Sequence, residues 1–98
     1  ILWNSMSNLI RKIKIELRKP FLQKLELVSP SIQKQVYKRI SLFKLDPFDS
    51  QLRNHALKGK YLGFRSIDIT YDYRALFREC ENSVHFTYLD THKELYGK

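Results

Sequence analysis

Three histidines, His55, His85 and His92, are the side chains best suited to move a proton near neutral pH. Taken singly, each reads as a structural or surface residue, and no two have the spacing of zinc ligands, so no metal centre is expected. Asp72 falls at a turn, where aspartate commonly caps backbone groups, and Tyr96 reads as a residue that packs a chain end. Cys80 is the one cysteine, so it can form neither an internal disulfide nor a zinc knuckle. It has no neighbouring histidine in the chain and reads as packing. Gly-rich phosphate loops and serine nucleophile elbows are absent from the sequence. Positive charge is the stronger signal. Arg65, Arg74 and Arg78 fall in strand-like segments, Lys58 and Lys60 in a loop-like one, and six tyrosines are interleaved with them. Phosphate contacts plus base stacking would suit a single-stranded RNA partner. Lysines on helical stretches read equally well as solubilising charge.

The chain has 98 residues, enough for one domain with one core, read here as spanning residues 1–98. Eighteen Lys plus Arg against ten Asp plus Glu leave a formal charge of +8, which favours a polyanionic partner. No apolar run approaches the ~18–20 residues that span a bilayer, so neither a membrane helix nor a membrane partner is expected. Residues 1–5, which precede Met6, lack the basic start of a signal peptide and read as a non-native or upstream extension. A compact basic domain in the cytoplasm is expected, with no cofactor.

The elements that must position these residues follow from periodicity. Lys12 to Leu17 alternates polar and apolar residues, as a half-buried strand does. From Lys19 the period lengthens: Phe21, Leu22, Leu25 and Val28 predict a helix of roughly ten residues, with Pro20 in its first turn. Ser29 and Pro30 then supply an N-cap and a first helical residue. Ile32, Val36, Ile40 and Phe43 form the apolar stripe of a second helix, with Tyr37 beside it, and Asp46-Pro47 ends it. The short junction predicts a helical hairpin. Residues 49–58 read as loop. Ile67 and Ile69 then oppose Ser66, Asp68 and Thr70 along a strand. In the next segment Tyr73, Ala75 and Phe77 oppose Arg74, Leu76 and Arg78, and Val84 to Leu89 makes a third strand. Short links predict an antiparallel meander. The expected fold is α+β, ordered β-α-α-β-β-β, with the helical hairpin on one face of an antiparallel sheet.

One stretch carries more than composition. It contains Asp46-Pro47-Phe48, Leu52-Arg53-Asn54-His55-Ala56-Leu57-Lys58-Gly59, Gly63-Phe64-Arg65-Ser66, Asp72-Tyr73-Arg74 and Phe77-Arg78, and the chain closes with Thr91-His92 and Leu95-Tyr96. In this order and register the second half resembles the RelE/ParE superfamily of type II toxins, and within it the YafQ-like mRNA interferases. The first half agrees only in the order of its elements.

The resemblance implies a ribosome-dependent endoribonuclease that cleaves mRNA without a metal and is neutralised by a cognate antitoxin. It puts His92 on the closing-motif histidine, as general acid. His55 becomes a second acid/base or a phosphate contact, and Asp72 a base or an orienting carboxylate. Tyr96 would stack on a base or lend its hydroxyl. Arg65, Arg74 and Arg78, with Lys58 and Lys60, would meet RNA. Asp68, Tyr88 and Asp90 stand where the family can carry histidine, arginine and glycine. The antitoxin is expected to mask the surface around Arg65, Arg74 and His92. A non-catalytic member of the same fold, directed at gyrase or binding only its antitoxin, is the alternative.

Overall fold

The structure is a computed structural model that describes residues 14–97. The chain runs β1 (Lys14–Leu17), α1 (Lys19–Leu27), α2 (Pro30–Leu45), β2 (His55–Ala56), β3 (Arg65–Asp68), β4 (Tyr73–Cys80), β5 (Ser83–Thr91) and α3 (His92–Tyr96). Short 3₁₀ turns at Ser50–Leu52 and Gly59–Tyr61 flank β2. The fold is α+β, as expected. Lys12, Ile13 and the segment 1–5 lie outside the described residues. No helix among the described residues is long and apolar enough to cross a membrane.

Pro20 and Pro30 both sit in first helical turns, where a missing N–H costs nothing. The Ser29 hydroxyl accepts from the Ile32 amide at 3.4 Å, closing the start of α2. Phe21, Leu25, Val36 and Phe43 face the sheet and are buried. Phe86 on β5 is the hub, with its ring centroid 5.8 Å from Phe21, 5.4 Å from Phe43 and 5.1 Å from Phe77. Tyr37, beside the stripe of α2, is exposed.

The sheet order is β1-β5-β4-β3-β2. Two features correct the expected topology. Residues 49–58 are not simply loop, because His55 and Ala56 pair with Ser66 and Arg65 as a two-residue edge strand. The sheet is also mixed, since β1 runs parallel to β5 while the other pairs are antiparallel. The helices carry the chain away from β1, so no short link forces it into a hairpin.

Alternation divides the sheet into two faces. Ile67, Ala75, Phe77, Val84, Phe86 and Leu89 point to the helices. The other face carries cross-strand rows: Ser66 beside Leu76 beside Tyr88, and Asp68 beside Arg74. A register shift between Leu76 and Phe77 skips Thr87 on β5 and resets the alternation of that strand. The α3 segment then returns so that Tyr96 reaches the rings of this open side.

Candidate functional site

A cleft of about 450 Å³ opens on the side of the sheet away from α1 and α2. Arg53, His55, Ser66, Asp68, Arg74, His92 and Tyr96 all line it. Residues 37 apart in the chain, His55 and His92, thus face one cavity because β2 and α3 bracket the end of β3 and β4.

His55 is exposed, and its Nδ1 lies 2.7 Å from the Arg53 carbonyl. A carbonyl can only accept, so Nδ1 carries the proton and Nε2 keeps the lone pair of the neutral ring. The Arg53 backbone makes this possible by adopting a left-handed conformation, φ 51°, at the end of its 3₁₀ turn. A non-glycine residue held there stores strain, a pattern frequent at functional sites.

On the opposite wall, His92 is the first residue of α3. Thr91 caps that helix by accepting from the Glu94 amide at 3.1 Å. One turn later Tyr96 brings its ring to 4.6 Å from the imidazole. Burial, reinforced by Tyr61 and partly offset by Arg74, pushes the Tyr96 phenol above its usual range. It therefore stays protonated at neutral pH and can donate.

Between the walls lie the charges. Asp68 holds two guanidiniums, with Arg74 Nε 3.2 Å from Oδ1 and Arg53 Nη1 3.5 Å from Oδ2. Arg74 Nη1 also donates to the carbonyls of Thr70, Tyr71 and Tyr73 at 2.9–3.2 Å. Among the described residues, no hydrogen bond engages Nη2. Ser66 is 1% exposed, and its hydroxyl has no hydrogen-bond partner among the described residues. An unpaired buried hydroxyl costs about 1–3 kcal/mol, a cost carried here under the floor of the cleft.

Not every expected residue comes to this cleft. The Asp72 side chain is exposed in an adjoining hollow shared with Arg74 and His92. Its backbone carbonyl, not its carboxylate, meets the catalytic candidate, accepting from the His92 amide at 2.9 Å. Arg65 belongs to the other face. It pairs in register with Phe77, donates from Nε to Asn54 Oδ1 at 2.8 Å and lies over the Phe48 ring at 5.5 Å. The surface around Arg65, Arg74 and His92 is therefore two surfaces. Arg78 and Lys60 lie over the rings of Phe64 and Tyr61, and Lys58 is exposed at the cap of the second 3₁₀ turn.

Asp90 is turned to a structural use. Lys24 of α1 reaches its carboxylate at 3.1 Å and that of Glu94 at 3.7 Å. Burial pushes the Asp90 carboxyl up, while a proton shared with Asp90 and a hydrogen bond from Thr91 hold that of Glu94 down. Cys80 does have a histidine partner, across the hairpin rather than along the chain, with His85 Nδ1 3.5 Å from its sulfur. Among the described residues, no group of three or more His, Cys, Asp or Glu side chains stands ready to hold a metal ion.

Arg53 and Ser66 escaped sequence reasoning. The alternation around Ile67 already put Ser66 on the cleft side. The left-handed turn at Arg53 has no such signature.

No family profile and no curated protein matches the chain. Solved structures do. HP0894 from Helicobacter pylori is 31% identical, with 86% of this chain and 99% of that chain covered and a TM-score of 0.66. YafQ in the E. coli DinJ-YafQ toxin-antitoxin complex is 17% identical over 88% of this chain and 99% of its own, at a TM-score of 0.72. A YoeB/ParE toxin from Agrobacterium tumefaciens is 19% identical over 81% and 98%, at 0.68. Sheet order, cleft and the HP0894 identity agree with the motifs of the second half: the chain belongs to the RelE/ParE superfamily of toxins.

Proposed function

We propose that this toxin is an endoribonuclease that cleaves mRNA on the ribosome, and that its cleft performs the reaction by acid–base catalysis. The observation that carries the reading is the convergence of His55 and His92 on one cavity that also holds two guanidiniums. Attack by an RNA 2′-hydroxyl on its own phosphate requires three things: a base for the hydroxyl proton, positive charge for the phosphorane-like transition state, and an acid for the leaving 5′-oxygen. His55, with its proton fixed on Nδ1 by the Arg53 carbonyl, offers Nε2 as the base. His92 supplies the acid. Arg74 Nη2 and the exposed Arg53 meet the non-bridging oxygens. Asp72 acts through its carbonyl, which holds the start of α3, so it is a positioning residue. Tyr96 supports the His92 ring and donates from its neutral hydroxyl.

The coarser role is that of a toxin with a neutralising partner. YafQ has been solved with DinJ, and a chain of charge +8 suits an acidic segment laid across its cleft side. The test is primer extension on a defined message in a reconstituted translation mix, with and without ribosomes. Discrete cuts that require ribosomes are expected, and they should disappear at a site given a single 2′-deoxy nucleotide. A folded protein that leaves the message intact overturns the nuclease reading in favour of a gyrase-directed or purely antitoxin-binding member.

A further inference from the structure

The Tyr96 wall of the cleft continues as a chain of rings. Tyr96 packs against Tyr61 with centroids 5.7 Å apart, Tyr61 against Tyr88 at 5.9 Å, and Phe64 tilts on Tyr88 at 5.5 Å. Two cations lie on this surface, Arg78 over Phe64 at 4.9 Å and Lys60 over Tyr61 at 5.2 Å. None of these rings belongs to the helix-side core. They come from the second 3₁₀ turn, the approach to β3, the outer side of β5 and α3, and Tyr88 remains 38% exposed.

Two physical features say what this surface fits. The Tyr61 contacts are edge-on, at interplanar angles of 62° and 88°, and an edge-on pair leaves ring faces available that a flat stack would cover. The cations sit on the rings themselves, so a ligand would meet stacking surface and positive charge together. Unpaired nucleotides have that pair of requirements, a π-face on each base and a negative phosphate between bases. The ledge is also continuous with the cleft through Tyr96.

We infer that Tyr61, Phe64 and Tyr88 form a base-stacking subsite for unpaired RNA nucleotides next to the one in the cleft, with Arg78 and Lys60 on their phosphates. The inference rests on the reading that the cleft takes RNA, and it adds where the neighbouring bases lie.

The test is binding, without ribosomes, of a labelled six-nucleotide single-stranded RNA and of its abasic counterpart by the full chain. Tyr88→Ala should weaken the six-mer by roughly 5- to 100-fold, the range typical of one lost base stack, and leave the abasic strand unaffected. Tyr88→Leu keeps an apolar side chain and serves as the folding control, so it should behave like Tyr88→Ala, whereas Tyr88→Trp should bind as well as the native chain. Arg78→Gln should weaken both strands and flatten the salt dependence. Equal six-mer binding by the native chain, Tyr88→Ala and Tyr88→Leu would overturn the subsite, as would a native chain that binds neither strand. So would a Tyr88→Ala chain that loses only its antitoxin, because the ledge would then be a protein-docking face. Message cleavage is scored separately, so cuts with a silent Tyr88 sink the subsite alone, and stacking without cuts sinks the nuclease alone.

Discussion

Asp68 shows how a single departure from the family pattern changes the chemistry available in the cleft. Its carboxylate lies between the guanidiniums of Arg53 and Arg74. The proposed reaction gives that position to a phosphate, so on this reading Asp68 competes with the anion. Asp68→Asn keeps an acceptor for Arg74 Nε but removes the charge, so RNA affinity should rise several-fold. For each phosphate contact it releases, the salt dependence of binding should steepen by about 0.7 in logarithmic slope. Binding titrations across salt concentrations check this, and an unchanged slope would mean that Asp68 does not compete. Much of the residue scale was legible through parity. Ser66 and Asp68 oppose Ile67, and Arg74 shares a face with Arg78, as the alternation implied. The same parity assigns Arg65, two residues before Ile67, to the helix side, so its charge alone was a poor guide to the cleft. The capture of Asp72 by its carbonyl is a matter of backbone geometry, which residue type does not encode.

The elements position the site through a small tie at the end of the sheet. Lys24 on α1 reaches Asp90 and Glu94, and so joins the helical layer to the start of α3, the segment that carries His92 and Tyr96. A proton shared with the Asp90 carboxyl, whose own value is raised by burial, and a hydrogen bond from Thr91 hold Glu94 below its usual value of 4.5. A carboxyl depressed in the folded state stabilises it above the unfolded value, and that contribution disappears as pH falls through the folded value. Melting curves of the native chain and Glu94→Gln should therefore differ above about pH 4.5, with the native chain the more stable, and converge as the medium is acidified below it. A gap independent of pH would remove charge from the explanation. Helices and meander strands could be read because their periods persist over many residues. β2 could not, since two residues carry no period, and the parallel pairing of β1 with β5 follows from a crossover rather than from any local pattern.

Among the described residues, α1, α2 and their aromatic core occupy one side of the sheet, and the cleft, the ring ledge and the cations occupy the other. This separation lets the cleft side change without disturbing the packing that holds the described residues together. Exposed His92 contributes nothing to the core, so replacing it should cost chemistry and spare the fold. The direct measurement is mapped, ribosome-dependent mRNA cleavage by His92→Ala beside the native chain, with thermal stability and antitoxin binding recorded on the same preparations. The account predicts a fall in cleavage of about 10²-fold or more, the usual contribution of a general acid, with melting and antitoxin binding unchanged. Cleavage at the native rate by a folded His92→Ala protein would contradict it.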